Sequence, residues 1–246
     1  MSQTVKKVLL IALAAALVAG AGIGGTLALF SDNSTVANQF MVASYDPNNP
    51  PDDPDDIFSV AVRETVTDYD LDNDGTADVT ANDSGGYDYK NITPGMDMSK
   101  IAAVSNTGAY DQYIRVKIVF NHASGWRAVM QRHGIASAAS FLQGLDGSKW
   151  SAVNAADAYD AATDTLTRVY WLNSTLAPAG SQTLFTSLAI PMSFDQSDMA
   201  ALDGSFNVSV TAEAIQTVGW DNYAAHGYAS RIAYAFDVFD GAAYQN

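Results

Sequence analysis

The stretch "YIRVKIVF", residues 113–120, alternates without a break. Ile114, Val116, Ile118 and Phe120 fall on one side and Arg115, Lys117 and Val119 on the other, the period of a strand with one face in a core. "SFNVSVTAEA" repeats the pattern, with Phe206, Val208, Val210 and Ala212 inward and Asn207, Ser209, Thr211 and Glu213 outward. "FSVAVRETV" sets Phe58, Val60 and Val62 on one strand face, and "TLTRVYWL" (165–172) and "LFTSLAIPM" (184–192) are further β segments. Residues 29–44 carry Val36, Phe40 and Val42 at even spacing, which suits an extended strand.

Other segments break this rhythm. "GWRAVMQRHGIASAASFLQGL" (125–145) is rich in Ala, Met, Gln, Arg and Leu and predicts helix, with Gly134 as a break point. "NYAAHGYASRIAYAFDVF" fits either a helix or a late strand. "YDPNNPPDDPDD" (45–56) holds four prolines and five aspartates and reads as a linker or long exposed loop. Short strands separated by turn signals predict an all-β fold, a jelly-roll-like β-sandwich. That domain spans 57–246, with a helical insertion near 125–160, and no 20–50-residue repeat is visible.

The first residues belong to a different kind of element. Lys6 and Lys7 precede an apolar run from Val8 to Ala19, Gly20–Gly25 is poorly helical, and Thr26-Leu27-Ala28 offers small residues for cleavage. Residues 1–28 read as a signal helix cut after Ala28. The competing reading is a retained anchor, since Val8 to Leu29 is just long enough to span a bilayer. On the cleaved reading the protein is secreted, to the cell surface or extracellular matrix, and meets the membrane only through its uncleaved leader.

Charge sharpens the partner question. The whole chain carries a formal −15, and losing residues 1–28 removes Lys6 and Lys7 and no acid, which leaves −17. Such a surface repels nucleic acid and anionic lipid and favours divalent cations. The chain has no cysteine, so an exported form is held by its core, by metal or by assembly rather than by disulfides.

Two motifs bear on chemistry. "GAGIGG" (20–25) satisfies G-x-G-x-x-G, but it ends a signal peptide and lacks the strand, helix and acid of a dinucleotide site. "DYDLDNDGTADVTAND" is more specific. Asp70, Asp72 and Asp74 occupy positions 1, 3 and 5 of a calcium loop, with Gly75 at 6, the Thr76 carbonyl at 7 and Asp78 at 9. Ala81 stands where an EF-hand has its bidentate Glu, so Asn82, Asp83 or another loop has to complete the shell. The plainer reading is a solvated acidic loop with Asp/Asn/Gly turn chemistry. The histidines, His122, His133 and His226, form no H-E-x-x-H and no i, i+4 pair. No serine stands in G-x-S-x-G, and no pair of carboxylates is singled out. No catalytic residue is assigned, and the chain is read as a non-enzyme.

Several quoted stretches together carry a resemblance. The leader end "GGTLALFSD" with "STVANQFMVAS" resembles substrates of the SipW-type signal peptidase, namely the TasA/CalY (camelysin) family of biofilm-matrix fibre proteins. "NITPGMDMSKIAAVSNTGAYDQYIRVKI" (91–118) resembles that family's Pro-Gly turn, strand, Asn-x-Gly turn and second strand. "LAPAGSQTLFTSLAIP" and "VSVTAEAIQTVGW" resemble its later motifs; residues 45–88 and the helical 125–160 insertion do not map onto it. The resemblance implies a jelly-roll subunit that forms a homopolymer by donating its N-terminal strand to a neighbour. Leu29, Phe30, Val36, Phe40 and Val42 then supply the pocket side chains, and the signal peptidase is the other partner. Two rivals stand beside this expectation: a calcium-stabilised monomeric adhesin or envelope protein, and a camelysin-like metalloprotease, for which no zinc triad is present.

Overall fold

Alternation along the chain becomes two facing sheets in the computed structural model, which describes residues 59–81, 87–202 and 206–241 together with the backbone of 31–35. The leader, Val36, Phe40 and Val42, and the 45–56 linker lie outside the described residues, as do Leu29 and Phe30. The first sheet is built on β6 (Gln112–Asn121), flanked by β12 (Val208–Gln216) and β10 (Thr165–Leu172). Beyond β12 lies β1 (Ser31–Thr35); beyond β10 lie β8 (Trp150–Ala152) and β9 (Ala158–Asp160). The second sheet runs β2 (Val60–Thr65), β5 (Asp97–Asn106), β11 (Ser181–Ala189), β7 (Leu142–Gln143). A separate hairpin joins β3 (Val79–Ala81) to β4 (Tyr87–Tyr89). All these pairings are antiparallel.

The inner faces are those the alternation marks. Ile114, Val116, Ile118 and Phe120 of β6 join Val208, Val210 and Ala212 of β12 in one core with Met98, Ala102 and Val104 of β5 and Phe185 and Leu188 of β11. A fully buried Leu, Ile or Phe contributes about 1.5–3 kcal/mol by transfer, so this shared layer holds the sheets face to face. The result is an all-β sandwich.

The 125–160 insertion is helical only in its first part. α1 (Ala123–His133) ends at Gly134, whose φ of 66° supplies the left-handed C-cap expected of a break there. A 3-10 turn follows at Ala138–Phe141, and then come β7, β8 and β9, strands of two or three residues. α1 packs against α2 (Gln196–Ala201) so closely at Gly125 that a Cβ there would lie 2.0 Å from the carbonyl oxygen of Ala201. Glycine is the residue that permits this approach.

The second half of the ambiguous C-terminal segment is a helix, α3 (Arg231–Phe239), with the Ser230 hydroxyl accepting from the Ala233 N–H at its start; its first half is a 3-10 turn at Asp221–Ala224 followed by turns. It forms a second apolar cluster with Ile215 and Trp220, on the face of β12 away from the sandwich interior. Glu213, expected outward into water, is therefore buried beside Arg115. The Arg115 guanidinium also forks onto Asp240 at 2.6 and 2.7 Å and lies 4.6 Å from the Phe236 ring centroid. The middle strand is thus covered on both faces.

Candidate metal centre

The acidic loop between β2 and β3 is shaped by its own turn chemistry. Asn73 and Gly75 have φ of 60° and 87°, and the left-handed conformation at Gly75 is one that a glycine adopts without strain. Asp70 accepts from the N–H groups of Asp74 at 3.1 Å and Gly75 at 2.9 Å, and Asp72 accepts from the Asp74 N–H at 3.1 Å. The loop closes where the N–H groups of Asp78 and Val79 both donate to the Tyr69 carbonyl, at 2.7 and 3.1 Å.

This winding brings three of the expected carboxylates together. One oxygen from each of Asp70, Asp72 and Asp78 lies within 4.8 Å of the other two. Asp78 is the buried member; it accepts from the Leu71 N–H at 3.0 Å and from the Asn91 amide at 2.8 Å. Asp74, expected at position 5, is not in the group: its carboxylate accepts from the Thr76 N–H at 2.7 Å. Thr76 enters this geometry through that N–H, and Asn82 and Asp83 lie outside the described residues. Three carboxylate oxygens at this spacing repel one another, and a hard divalent cation relieves the repulsion most directly. They fit calcium as a partial shell, and fit other hard cations as well.

The loop is tied to the sandwich through the β3–β4 hairpin. The Lys90 N–H donates to the Asp78 carbonyl at 2.9 Å, and the Tyr89 hydroxyl donates to the Ser99 carbonyl of β5 at 2.7 Å. Burial, then the carboxylate of Glu64, pushes the Tyr89 phenol well above its ordinary pKa, which keeps it a donor. Tyr87 and Tyr89 form one wall of a cavity of about 300 Å³ whose apolar side is Met98, Leu188, Phe206 and Val208. Lys100 lines it too, with its ammonium on Glu64 inside the sandwich.

The histidines stay apart from this centre. His122 is the N-cap of α1, His133 contacts Asp198 at 2.8 Å, and His226 stacks on Tyr234. Among the described residues, the group of Asp70, Asp72 and Asp78 is the one set of three metal-capable side chains within reach of one another. No helix among them is long and apolar enough to cross a membrane. Sequence reasoning missed Lys100 with Glu64, and it missed Asp198, which holds Arg132 and His133 and closes a capping box with Asp195. The signal for Glu64 was its even spacing from Val60 and Val62.

No family model, curated protein or solved structure matches the chain.

Proposed function

We propose that this chain is an exported structural subunit, a jelly-roll-like sandwich cleaved after Ala28, that polymerises through its N-terminal strand into extracellular fibres of the biofilm-matrix kind. The observation that carries the reading is the position of β1. The strand begins three residues past the leader and forms the end of its sheet, with Ser31 opposite Ile215 and Thr35 opposite Thr211. An edge strand at a chain end can exchange between its own β12 and that of a neighbour without altering the ladder. Such a contact is head-to-tail and leads to a filament rather than a closed ring. The sequence resemblance and the absence of cysteine favour the same reading. Leu29, Phe30, Val36, Phe40 and Val42 are the side chains proposed to seat in the next subunit.

Electron microscopy of the purified mature protein tests it. Fibres are expected from the full mature chain, and none from a variant lacking residues 29–42 that remains folded. Phe40→Asp should slow or stop assembly, because it sets a charge in an apolar pocket. Normal fibres from the truncated chain would refute strand donation.

The cluster of Asp70, Asp72 and Asp78 favours a second reading, a calcium-stabilised surface protein that stays monomeric. It predicts calcium-dependent stability without fibres.

A further inference from the structure

We propose that Asn173 is the acceptor of an N-linked glycan, an inference that rests on the export reading above. The acceptor pattern Asn-x-Ser/Thr occurs at Asn33, Asn82, Asn91, Asn173 and Asn207. Among the described residues the fold separates these positions. Asn33 has its backbone in β1, paired to Glu213. Asn91 is exposed too, but its amide makes a charge-assisted bond to the Asp78 carboxylate of the acidic loop, and the Thr93 backbone is engaged on both sides in its turn with Met96. Asn207 directly precedes β12, its N–H and carbonyl are both bonded to Asn121, and Val208 beside it is buried.

Asn173-Ser174-Thr175 is different. The three residues are exposed together in the bend between β10 and β11. Ser174 and Thr175 make no hydrogen bond among the described residues, so the Thr175 hydroxyl is free to be read by a transferase. The Asn173 backbone N–H donates to the Lys149 carbonyl at 2.8 Å, which fixes the base of the bend. Its side-chain amide donates to the Ser148 carbonyl at 3.0 Å. One amide hydrogen is enough for that bond, and the other is the one that glycosylation replaces.

The donor is a lipid-phosphate-linked oligosaccharide. The Asn173 amide nitrogen bonds to the anomeric carbon, and the bond from that carbon to the phosphate oxygen breaks. The lipid phosphate leaves with the electron pair, and the displaced amide proton passes to a base of the transferase.

Mass spectrometry of the full protein, recovered from the surface or medium of the cells that make it, tests the proposal. A whole oligosaccharide mass is expected on peptides containing 173–175. It should be lost in Asn173→Gln and in Thr175→Ala and kept in Thr175→Ser. An Asn173 that is bare throughout overturns the proposal, and the N-terminal peptide of the same sample tells which reading has failed. A bare Asn173 on chains beginning near Leu29 removes the glycan alone. A bare Asn173 on chains that keep the leader removes export as well.

Discussion

Glu64 and Lys100 meet as an ion pair on neighbouring strands inside the sandwich, with side chains 1% and 9% exposed. They lie on the inward-facing positions of β2 and β5, where the sequence otherwise places Val60, Met98, Ala102 and Val104. Burying two charges costs most of what their attraction returns, so the pair is costly to break singly and cheap to replace as a unit. Lys100→Met alone should destabilise by about 3–5 kcal/mol, because it leaves Glu64 charged and alone. The double variant Glu64→Leu with Lys100→Met should lie within about 1–2 kcal/mol of the parent, and it can be more stable. Denaturant unfolding of the parent, Lys100→Met and the double variant reads this directly; a double variant as weak as the single one would contradict it.

Acid should act through Asp198. Burial opposes its charged form, but the Asp195 N–H, His133 and Arg132 outweigh that and hold its carboxyl below the ordinary value. A carboxyl depressed in the folded state gives stability that is complete above its unfolded pKa, about 3.9, and is lost as pH falls through the folded one. Asp240, held down by Arg115, adds to the same window. Melting temperature should thus fall below about pH 4, and more steeply in the parent than in Asp198→Asn measured over the same range. Parallel curves would show that Asp198 does not contribute.

Calcium should raise the melting temperature if the acidic loop closes on it. A ligand that binds only the folded state at a hundredfold excess over its Kd adds about 2.7 kcal/mol. Asp70→Asn and Asp78→Asn should abolish the effect, whereas Asp74→Asn should weaken it less, since Asp74 serves the Thr76 N–H. At a formal charge of −15 a general salt effect is also expected, so ionic strength is held constant. Equal calcium responses in parent and Asp78→Asn would leave the loop as a solvated turn.

Gly125→Ala should cost on the order of 1–3 kcal/mol, the usual range for overpacking. The new methyl would meet the Ala201 carbonyl of α2, which is backbone and cannot rotate away. Gly147→Ala, with nothing within 4 Å of the added carbon, is the control and should change stability little.

The long strands were legible because a single rule governs them. In "TLTRVYWL" the expected and observed bounds coincide at Thr165–Leu172, and β6 extends its quoted stretch by one residue at each end. β7, β8 and β9 were not legible: two or three residues cannot display a period, and β9 is exposed along its length. α3 was ambiguous because Tyr234, Ala235 and Phe236 are consecutive and all buried, which satisfies neither spacing. The helix also ends at Asp240, whose partner Arg115 lies 125 positions away and is invisible to local spacing. The acidic loop was readable as a cation motif, but not the role of Asp74, because backbone N–H groups compete for carboxylates in a tight turn.

The two-sided cover of β6 has a kinetic consequence. Its amides between Ile114 and Phe120 sit in the middle of a sheet, with the sandwich core on one side and α3 beside Arg115 on the other. Their exchange with deuterated water requires loss of the whole domain rather than a local opening. Those of β1, bonded along one side to five residues of β12, require only the edge to lift. The slowest amides among the described residues should therefore report global unfolding, and those of β1 the ease with which an edge strand leaves its own sheet.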